Sequence, residues 1–549
     1  MRRSAGKRGK PTQLRRFASL LVTASRALTT PSSSFIMGLR TIPADSRVHD
    51  NPSESHHVSS TVYGSRAAAQ GIPALEMGED EMDPRLAKRF VQDELLGNSN
   101  PSLNLASFVT TYMEPEAEEL MTSALAINMI DVEEYVSLET LEHRCVSMIS
   151  RLFNAPRDNE EDEAVGTSTV GSSEAIILAV LAAKRRWKNK RKAEGKSTDS
   201  PNIVMASSVQ VCWEKAARYT EVEERYWNAR PGVYNAVPSE LVDLVNENTV
   251  LVVAILGNTY HGGYDDVSAI NDELKKKNEA EGLDVTIHVD AASGGFVAPF
   301  VNPDLVWDFR LPLVSSINTS GHKYGLVYAG VGWAFWRNKS YLPEELLFTV
   351  NYLGAPQVSF TLNFSKSGVN VIGQYYQLLR LGKSGYRAIM LNATRTADFL
   401  ADEVRKMGDG LFEVISEGEG KALPLVAFRI VKEKPYDEFA IAAHMRQRGW
   451  VLPAYTFMPS CSDMKVLRVV VREDLSRSRC ETLVRDLKET IDYLESAPVE
   501  VQKHLSKTDG AAGDNKSEHH PAHRKANKTV HLHEKHSLAG KHGKTHAVC

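Results

Sequence analysis

Between about residues 170 and 340 the chain alternates short apolar runs rich in β-branched residues with longer mixed stretches. The runs are "NIVMAS" (202–207), "TVLVVAILG" (249–257), "DVTIHVD" (284–290), "LVSSIN" (313–318) and "VGWAFWR" (331–337). Each is bounded by turn or polar residues and is nearly continuous in its apolar character, as in strands covered on both faces. Such strands separated by helical stretches predict βαβ units, and hence an α/β fold around a mostly parallel sheet. One helix is predicted over "SSEAIILAVLAAKRRWKNKRKA" (172–193), where two N-cap-type serines and Glu174 suit a helix start and the basic end suits the dipole. Its apolar first half should be buried and its charged second half exposed. Beyond residue 380, "LNATRTADFLADEVRKM", "ALPLVAFRIV", "EFAIAAHMRQRGW" and "KVLRVVVRED" read as helix, strand, helix and strand, with a closing helix over about 474–495. This predicts a smaller C-terminal α+β domain.

The pattern divides the chain into a leader (1–60), an N-terminal segment (61–110), a large domain (111–380), a small domain (381–500) and a tail (501–549). Composition adds exclusions. With 549 residues, 42% hydrophobic and 24% charged, the chain has ample material for a core, and its net charge of −4 gives no bias toward nucleic acid or an anionic membrane. No run approaches the roughly 18 consecutive apolar residues that a membrane span needs. Cys145, Cys212, Cys461, Cys480 and Cys549 are scattered without a CxxC pair, so neither a disulfide framework nor a metal site is indicated. A reducing compartment fits, and a cytoplasmic location is the expectation.

The two ends differ from this average. Arg2, Arg3, Lys7, Arg8, Lys10, Arg15, Arg16, Arg26 and Arg40 precede the first acidic residue, Asp45. That composition suits a transit peptide, with a mitochondrial location as the alternative, but equally a disordered basic leader or an extension upstream of Met37. Residues 505–549 are rich in His, Lys, Gly and Ser and poor in large apolar residues, which predicts a disordered tail. Its histidines could bind metal or sense pH, although solvation accounts for them as well.

Three short motifs carry candidate chemistry. "TVGSSEA" (169–175) puts a glycine and two hydroxyls at a helix start, where free N–H groups favour an anion. "HVDAASGGF" (288–296) ends a strand in Asp290 and continues in small residues that admit a planar ligand. "TSGHKYG" (319–325) holds Lys323 between glycines after an apolar strand, where desolvation lowers an amine's pKa toward nucleophilic use. Taken singly, these are equally a helix cap, a turn-capping aspartate and a surface lysine. Together they supply what pyridoxal 5′-phosphate (PLP) needs: a phosphate cradle, an acid partner for the pyridine nitrogen and an amine for the aldehyde.

Longer strings carry a resemblance. From "LNLASF" (103–108) to "VVVRED" (469–474), and above all in "HVDAASGGFVAPFVNPDLVWDFRLP", "SGHKYG" and "NFSKSGVNVIGQYYQLLRLGKSGY", the chain resembles the glutamate decarboxylases, group II PLP-dependent decarboxylases. The resemblance implies the aspartate-aminotransferase type fold and a homo-oligomer, a dimer at least and possibly a hexamer, with residues 61–110 contributing to dimer and substrate site. It implies conversion of L-glutamate to 4-aminobutanoate and carbon dioxide through a Schiff base on Lys323. Asp290 matches the pyridinium partner. Ser172, Ser173, Ser320 and His322 match the phosphate cradle, with Ser365 reaching it from a neighbouring subunit. Gln210 and Ala292 match the positions on the two ring faces, and Thr259 lies near the ring hydroxyl. Gln210 stands where many group II relatives carry histidine, as in the bacterial and plant branch. Arg468 matches the arginine for the α-carboxylate, and Ser107, Phe108, Asn128 and Asp131 match the region of the distal carboxylate, partly across a dimer. Structural readings stay open for two of these: an ion pair for Arg468, and a cap of the helix near "VEEY" for Asp131. Plant relatives carry a C-terminal calmodulin-binding segment, but residues 505–549 hold no tryptophan and no apolar stripe, so calmodulin is not an expected partner.

Overall fold

A computed structural model describes residues 73–502, apart from 158, 160–163, 351–356 and 499, together with Leu505. The basic leader and nearly all of the histidine-rich tail lie outside the described residues, and so do the expectations placed on them. The chain forms two compact units, Met1–Gly97 and Asn98–Cys549. In the first, helix α1 (Pro84–Leu95) opens with proline in its first turn, and the Asp83 carboxylate accepts the Arg85 N–H at 2.8 Å.

The second unit begins with α2 (Pro115–Ser123) and α3 (Val136–Leu152). There follow β1 (Val165–Thr169), α4 (Ser172–Ala193), β2 (Asn202–Ala206), α5 (Val211–Tyr219), β3 (Glu223–Trp227), α6 (Pro238–Asp243), β4 (Thr249–Ile255), α7 (Val267–Glu281), β5 (Ile287–Asp290), the short α8 (Ala298–Val301), β6 (Val314–Ser320) and β7 (Gly332–Trp336). The seven strands form one sheet in the order β1-β7-β6-β5-β4-β2-β3. From β6 to β3 they run parallel, while β7 is antiparallel to both β6 and β1. Every residue of β2, β4, β5, β6 and β7 is buried, which explains why these five were readable as apolar runs. The sequence pattern had not pointed to β1 or β3. Both stand at the sheet edges and are only partly buried, so "VGTST" and "EERYW" keep polar side chains and lack the continuous apolar mark.

Helix α4 spans the predicted segment, and its buried residues, Glu174 to Ala182, all fall in its first half. Its cap differs from the expectation. Gly171 occupies the N-cap, Ser172 and Ser173 are already helical, and no side chain caps the first turn.

The hairpin β8 (Phe348–Val350) and β9 (Gln357–Ser359) leads into α9 (Val369–Lys406), a helix of 38 residues interrupted at Gly382 (φ 54°, ψ −173°). The division placed at 380/381 falls inside this helix. A second, antiparallel sheet follows in the order β10-β11-β13-β12, from β10 (Phe412–Val414), β11 (Leu425–Ile430), β12 (Ala454–Thr456) and β13 (Lys465–Val470). Helices α10 (Glu438–Gln447) and α11 (Arg477–Ser496) complete it. Among the described residues two large apolar cores result, with a smaller cluster of Ala175, Leu178, Ala182, Ala334 and Trp336. Val371, Tyr386 and Met390 of α9 belong to the first core, and Ala393, Leu400 and Val404 to the second. Among the described residues no helix is long and apolar enough to cross a membrane, and four cysteines are buried and unbridged.

Two predictions follow from this packing. Phe153 is fully buried, with its ring edge-on to Trp307 and Phe335 at 5.2 and 5.6 Å. Phe153→Ala should cost about 3–5 kcal/mol in denaturant unfolding. His261 is buried, and desolvation holds its pKa down to about 4 from the ordinary 6.5. Between these values the unfolded chain binds more protons, so this histidine's contribution is present above pH 6.5 and is lost as pH falls toward 4. His261→Gln should therefore lose less stability than wild type over that window, by up to about 1.4 kcal/mol per pH unit, read from urea midpoints.

Candidate cofactor site

The carboxyl ends of β4, β5 and β6 and the start of α4 surround a cleft of about 430 Å³. Open parallel sheets place ligands at such strand ends. Ser172, Ser173, Gln210, Thr259, Asp290, Ala292, Ser320, His322 and Lys323 all line it. Of the residues assigned to the cofactor, Ser365 does not.

Asp290 ends β5 and is 7% exposed, so its charge needs donors. One carboxylate oxygen accepts the Trp213 indole N–H at 2.7 Å, and the other accepts the Asn318 amide and the Ala292 N–H, each at 3.1 Å. The Lys323 amine donates to Ser293 Oγ at 3.1 Å and lies 5.5 Å from the centre of the Phe108 ring. Burial pushes its pKa down while the Asp290 charge pulls the other way. Thr110 fixes the lysine's backbone: its hydroxyl donates to the Lys323 carbonyl at 2.7 Å, and its N–H to that of His322 at 2.9 Å. Desolvation holds the His322 imidazole neutral by lowering its pKa to about 4, and its Nδ1 is buried without a partner.

At the opposite wall, the first N–H groups of α4 have no intrahelical acceptors. The Ser172 and Ser320 hydroxyls are hydrogen-bonded to each other beside them. Gly332 lets the β7 backbone approach: a Cβ there would stand 2.8 Å from the Ser172 nitrogen and 2.6 Å from the Gly171 carbonyl carbon. A phosphate fits these free donors and hydroxyls, a protonated pyridine nitrogen fits Asp290, and an aldehyde fits Lys323. The orphaned His322 Nδ1 is a further polar atom that a ligand can satisfy. The Gln210 side chain caps α5, accepting the Cys212 N–H at 2.7 Å.

The residues assigned to the substrate separate into two groups. The Arg468 guanidinium lies 5.1 Å from the Phe108 ring centre, on the same ring as Lys323. Its terminal nitrogens donate to the carbonyls of Thr259 and Ala106, its Nε is unpartnered, and the ion-pair reading does not hold among the described residues. Ser107 Oγ accepts the Val109 N–H at 3.1 Å next to Phe108. Asn128, Asp131 and Ser365 gather elsewhere. The Asn128 amide donates to Ser365 Oγ at 3.3 Å, and the Asp131 N–H reaches the Asn128 carbonyl at 3.2 Å. None of the three lines the cleft of its own chain. Asp131 does not cap α3, whose N-cap is Tyr135.

Sequence reasoning missed Trp213, Ser293, Asn318 and Thr110. Ser293 sat within a quoted motif, a hydroxyl three residues after Asp290, and was within reach. The others act across 77, 28 and 213 residues, and no local pattern marks such pairs.

The pyridoxal-dependent decarboxylase conserved domain matches residues 89–431, and the chain belongs to that family. Glutamate decarboxylase of Petunia hybrida is 49% identical over 472 residues, covering 86% of this chain and 93% of that protein. Glutamate decarboxylase 1 of Arabidopsis thaliana is 51% identical over 454 residues, 83% and 89% of the two chains. Among solved structures, a Lactobacillus brevis glutamate decarboxylase superposes with a TM-score of 0.76 at 40% identity, covering 80% of this chain and 98% of that one. The Burkholderia pseudomallei sphingosine-1-phosphate lyase, at 23% identity and a TM-score of 0.65, shares the fold.

Gly332→Ala should push the β7 backbone away from α4 and weaken binding of PLP by about tenfold or more, as measured by equilibrium dialysis. Unchanged affinity would remove this wall from the cradle.

Proposed function

We propose that this chain is a PLP-dependent carboxy-lyase that converts L-glutamate to 4-aminobutanoate and carbon dioxide. The observation that carries the reading is the placement of the Lys323 amine and the Arg468 guanidinium on one Phe108 ring, at 5.5 and 5.1 Å, beside the Asp290 cleft. The identity of about half with glutamate decarboxylases over more than four-fifths of the chain supports glutamate as the substrate.

Bound PLP supplies a conjugated sink for the electron pair released when the bond from Cα to the carboxylate breaks. Asp290 would be the acid partner that a protonated pyridine nitrogen needs. Burial favours the neutral, nucleophilic form of the Lys323 amine. The start of α4, with Ser172, Ser173, Ser320 and His322, would hold the phosphate, and Gln210, Ala292 and Thr259, which line the same cleft, would contact the rest of the cofactor. Arg468 holds the substrate's α-carboxylate and thereby selects which Cα bond is aligned to break. Carbon dioxide leaves and a proton takes its place on Cα, so each turnover consumes one proton and acid conditions favour the reaction.

Asn128, Asp131 and Ser365 lie away from their own cleft, which supports a homo-oligomer in which they serve the cleft of a second copy. There Asp131 would meet the distal carboxylate of glutamate, and two close carboxylates share a proton rather than both ionise. This also favours acid pH. A shorter or isosteric acidic amino acid would differ by only about 1–3 kcal/mol per methylene, so the pocket's length gives modest discrimination.

Carbon dioxide release from the PLP-loaded chain, offered glutamate, aspartate and cysteine sulfinate at mildly acid and neutral pH, tests the reading. Glutamate should turn over far faster than the others, and Lys323→Ala should lose at least about a thousandfold. Preference for another acid would overturn the substrate, and full activity in Lys323→Ala would overturn the chemistry.

A further inference from the structure

Alternate residues of a strand share a face of the sheet. His288 and Asp290 of β5 therefore stand together, as do Ser316 and Asn318 of β6, and the parallel register pairs His288 with Ser316 and Asp290 with Asn318. The four are 0, 7, 3 and 0% exposed, so each polar atom must find its partner within the group or its neighbours. His288 Nδ1 lies 2.7 Å from Ser316 Oγ, and His288 Nε2 lies 2.7 Å from Asn318 Oδ1. The Asn318 amide nitrogen lies 3.1 Å from Asp290 Oδ1.

With the His288 ring neutral, the donors and acceptors in this chain have one consistent assignment. A carboxylate accepts, so Asn318 must turn its NH₂ toward Asp290 and its carbonyl oxygen toward His288. That oxygen accepts, so His288 Nε2 carries the proton. The neutral ring then accepts at Nδ1, and Ser316 donates. Burial lowers the His288 pKa, which keeps the ring in this neutral form. Trp213, a donor only, approaches from α5: its N–H meets the other Asp290 oxygen at 2.7 Å, and its ring stands edge-on to that of His288 at 5.2 Å.

We propose that Ser316, His288 and Asn318 form a one-way hydrogen-bond relay that, with Trp213, positions the Asp290 carboxylate for the pyridine nitrogen of PLP. The three are positioning residues, and the inference rests on the PLP reading of the cleft. Removing the Ser316 hydroxyl leaves His288 Nδ1 buried without a donor, which loosens the ring's hold on the Asn318 carbonyl and, through that amide, on Asp290. The disturbance reaches the carboxylate although Ser316 does not touch it.

The test uses the full chain stripped of cofactor and titrated with PLP, recording affinity and the visible absorption of the bound cofactor. Ser316→Ala should bind PLP about tenfold more weakly with a shifted band, and loaded enzyme should lose kcat at nearly constant KM for glutamate. Ser316→Thr, which keeps a hydroxyl, should return the band toward wild type. Asn318→Asp is close in shape but sets a second carboxylate against Asp290, and should cost about a hundredfold in affinity. Ser315→Ala is the control: that hydroxyl is 5% exposed on the opposite face, bonded to Thr286 at 3.0 Å, and its loss should leave affinity and band unchanged. Wild-type affinity and band in both Ser316→Ala and Asn318→Asp, with native circular dichroism, would overturn the relay. So would a Ser315→Ala defect equal to that of Ser316→Ala, because strand packing alone would then explain the effect. A wild-type chain that binds no PLP would remove the cofactor reading and the relay with it.

Discussion

Full burial of the central strands is the constraint on which the rest depends. With every residue of β4, β5 and β6 out of water, a polar side chain there has two options: to pair with a neighbour inside the sheet layer, or to stand at a strand end where the cleft opens. Ser316 and His288 take the first course, and Asp290 and Ser320 the second. Chemistry is thereby confined to the carboxyl edge of the sheet, where the α4 start adds backbone donors.

The same burial sets opposite problems for the two charges at the centre. Asp290 stays soluble in the interior because three donors surround it. Lys323 has a single hydroxyl within reach, and the low dielectric favours its neutral amine. Burial outweighs the pull of the Asp290 charge on Lys323, while Asp290 has its own donors, and both line the cleft where a ligand would meet them. Arg468 is different again. Two backbone carbonyls hold its guanidinium in place, which fixes a cation at the mouth of the cleft with little freedom left to lose on binding.

What was legible in the sequence follows from these physical divisions. The five buried strands were readable because burial on both faces demands apolar runs, and the edge strands β1 and β3 were not, because edges make no such demand. Lys323 and Asp290 were readable because glycines and small residues flank them at the ends of apolar strands. Trp213, Asn318 and Thr110 carried no local mark, since their importance comes from register and from chain crossings between distant segments. The two groups of substrate residues show a further limit. Their roles came through resemblance, and nothing in the spacing of Asn128, Asp131 and Ser365 foretold that they would gather away from Lys323.

Helix α9 ties the two cores into one body. Its residues as far as Met390 pack into the core of the seven-stranded sheet and those from Ala393 onward into that of the four-stranded sheet, so the change of core falls beyond the Gly382 interruption. A cut at that glycine separates Tyr386 and Met390 from the rest of the first core, so the piece that keeps the seven-stranded sheet inherits an unfinished interior. The two sheets look like separable modules in a diagram, but a gene divided within this helix, or a foreign module exchanged there, would open an apolar interior to water.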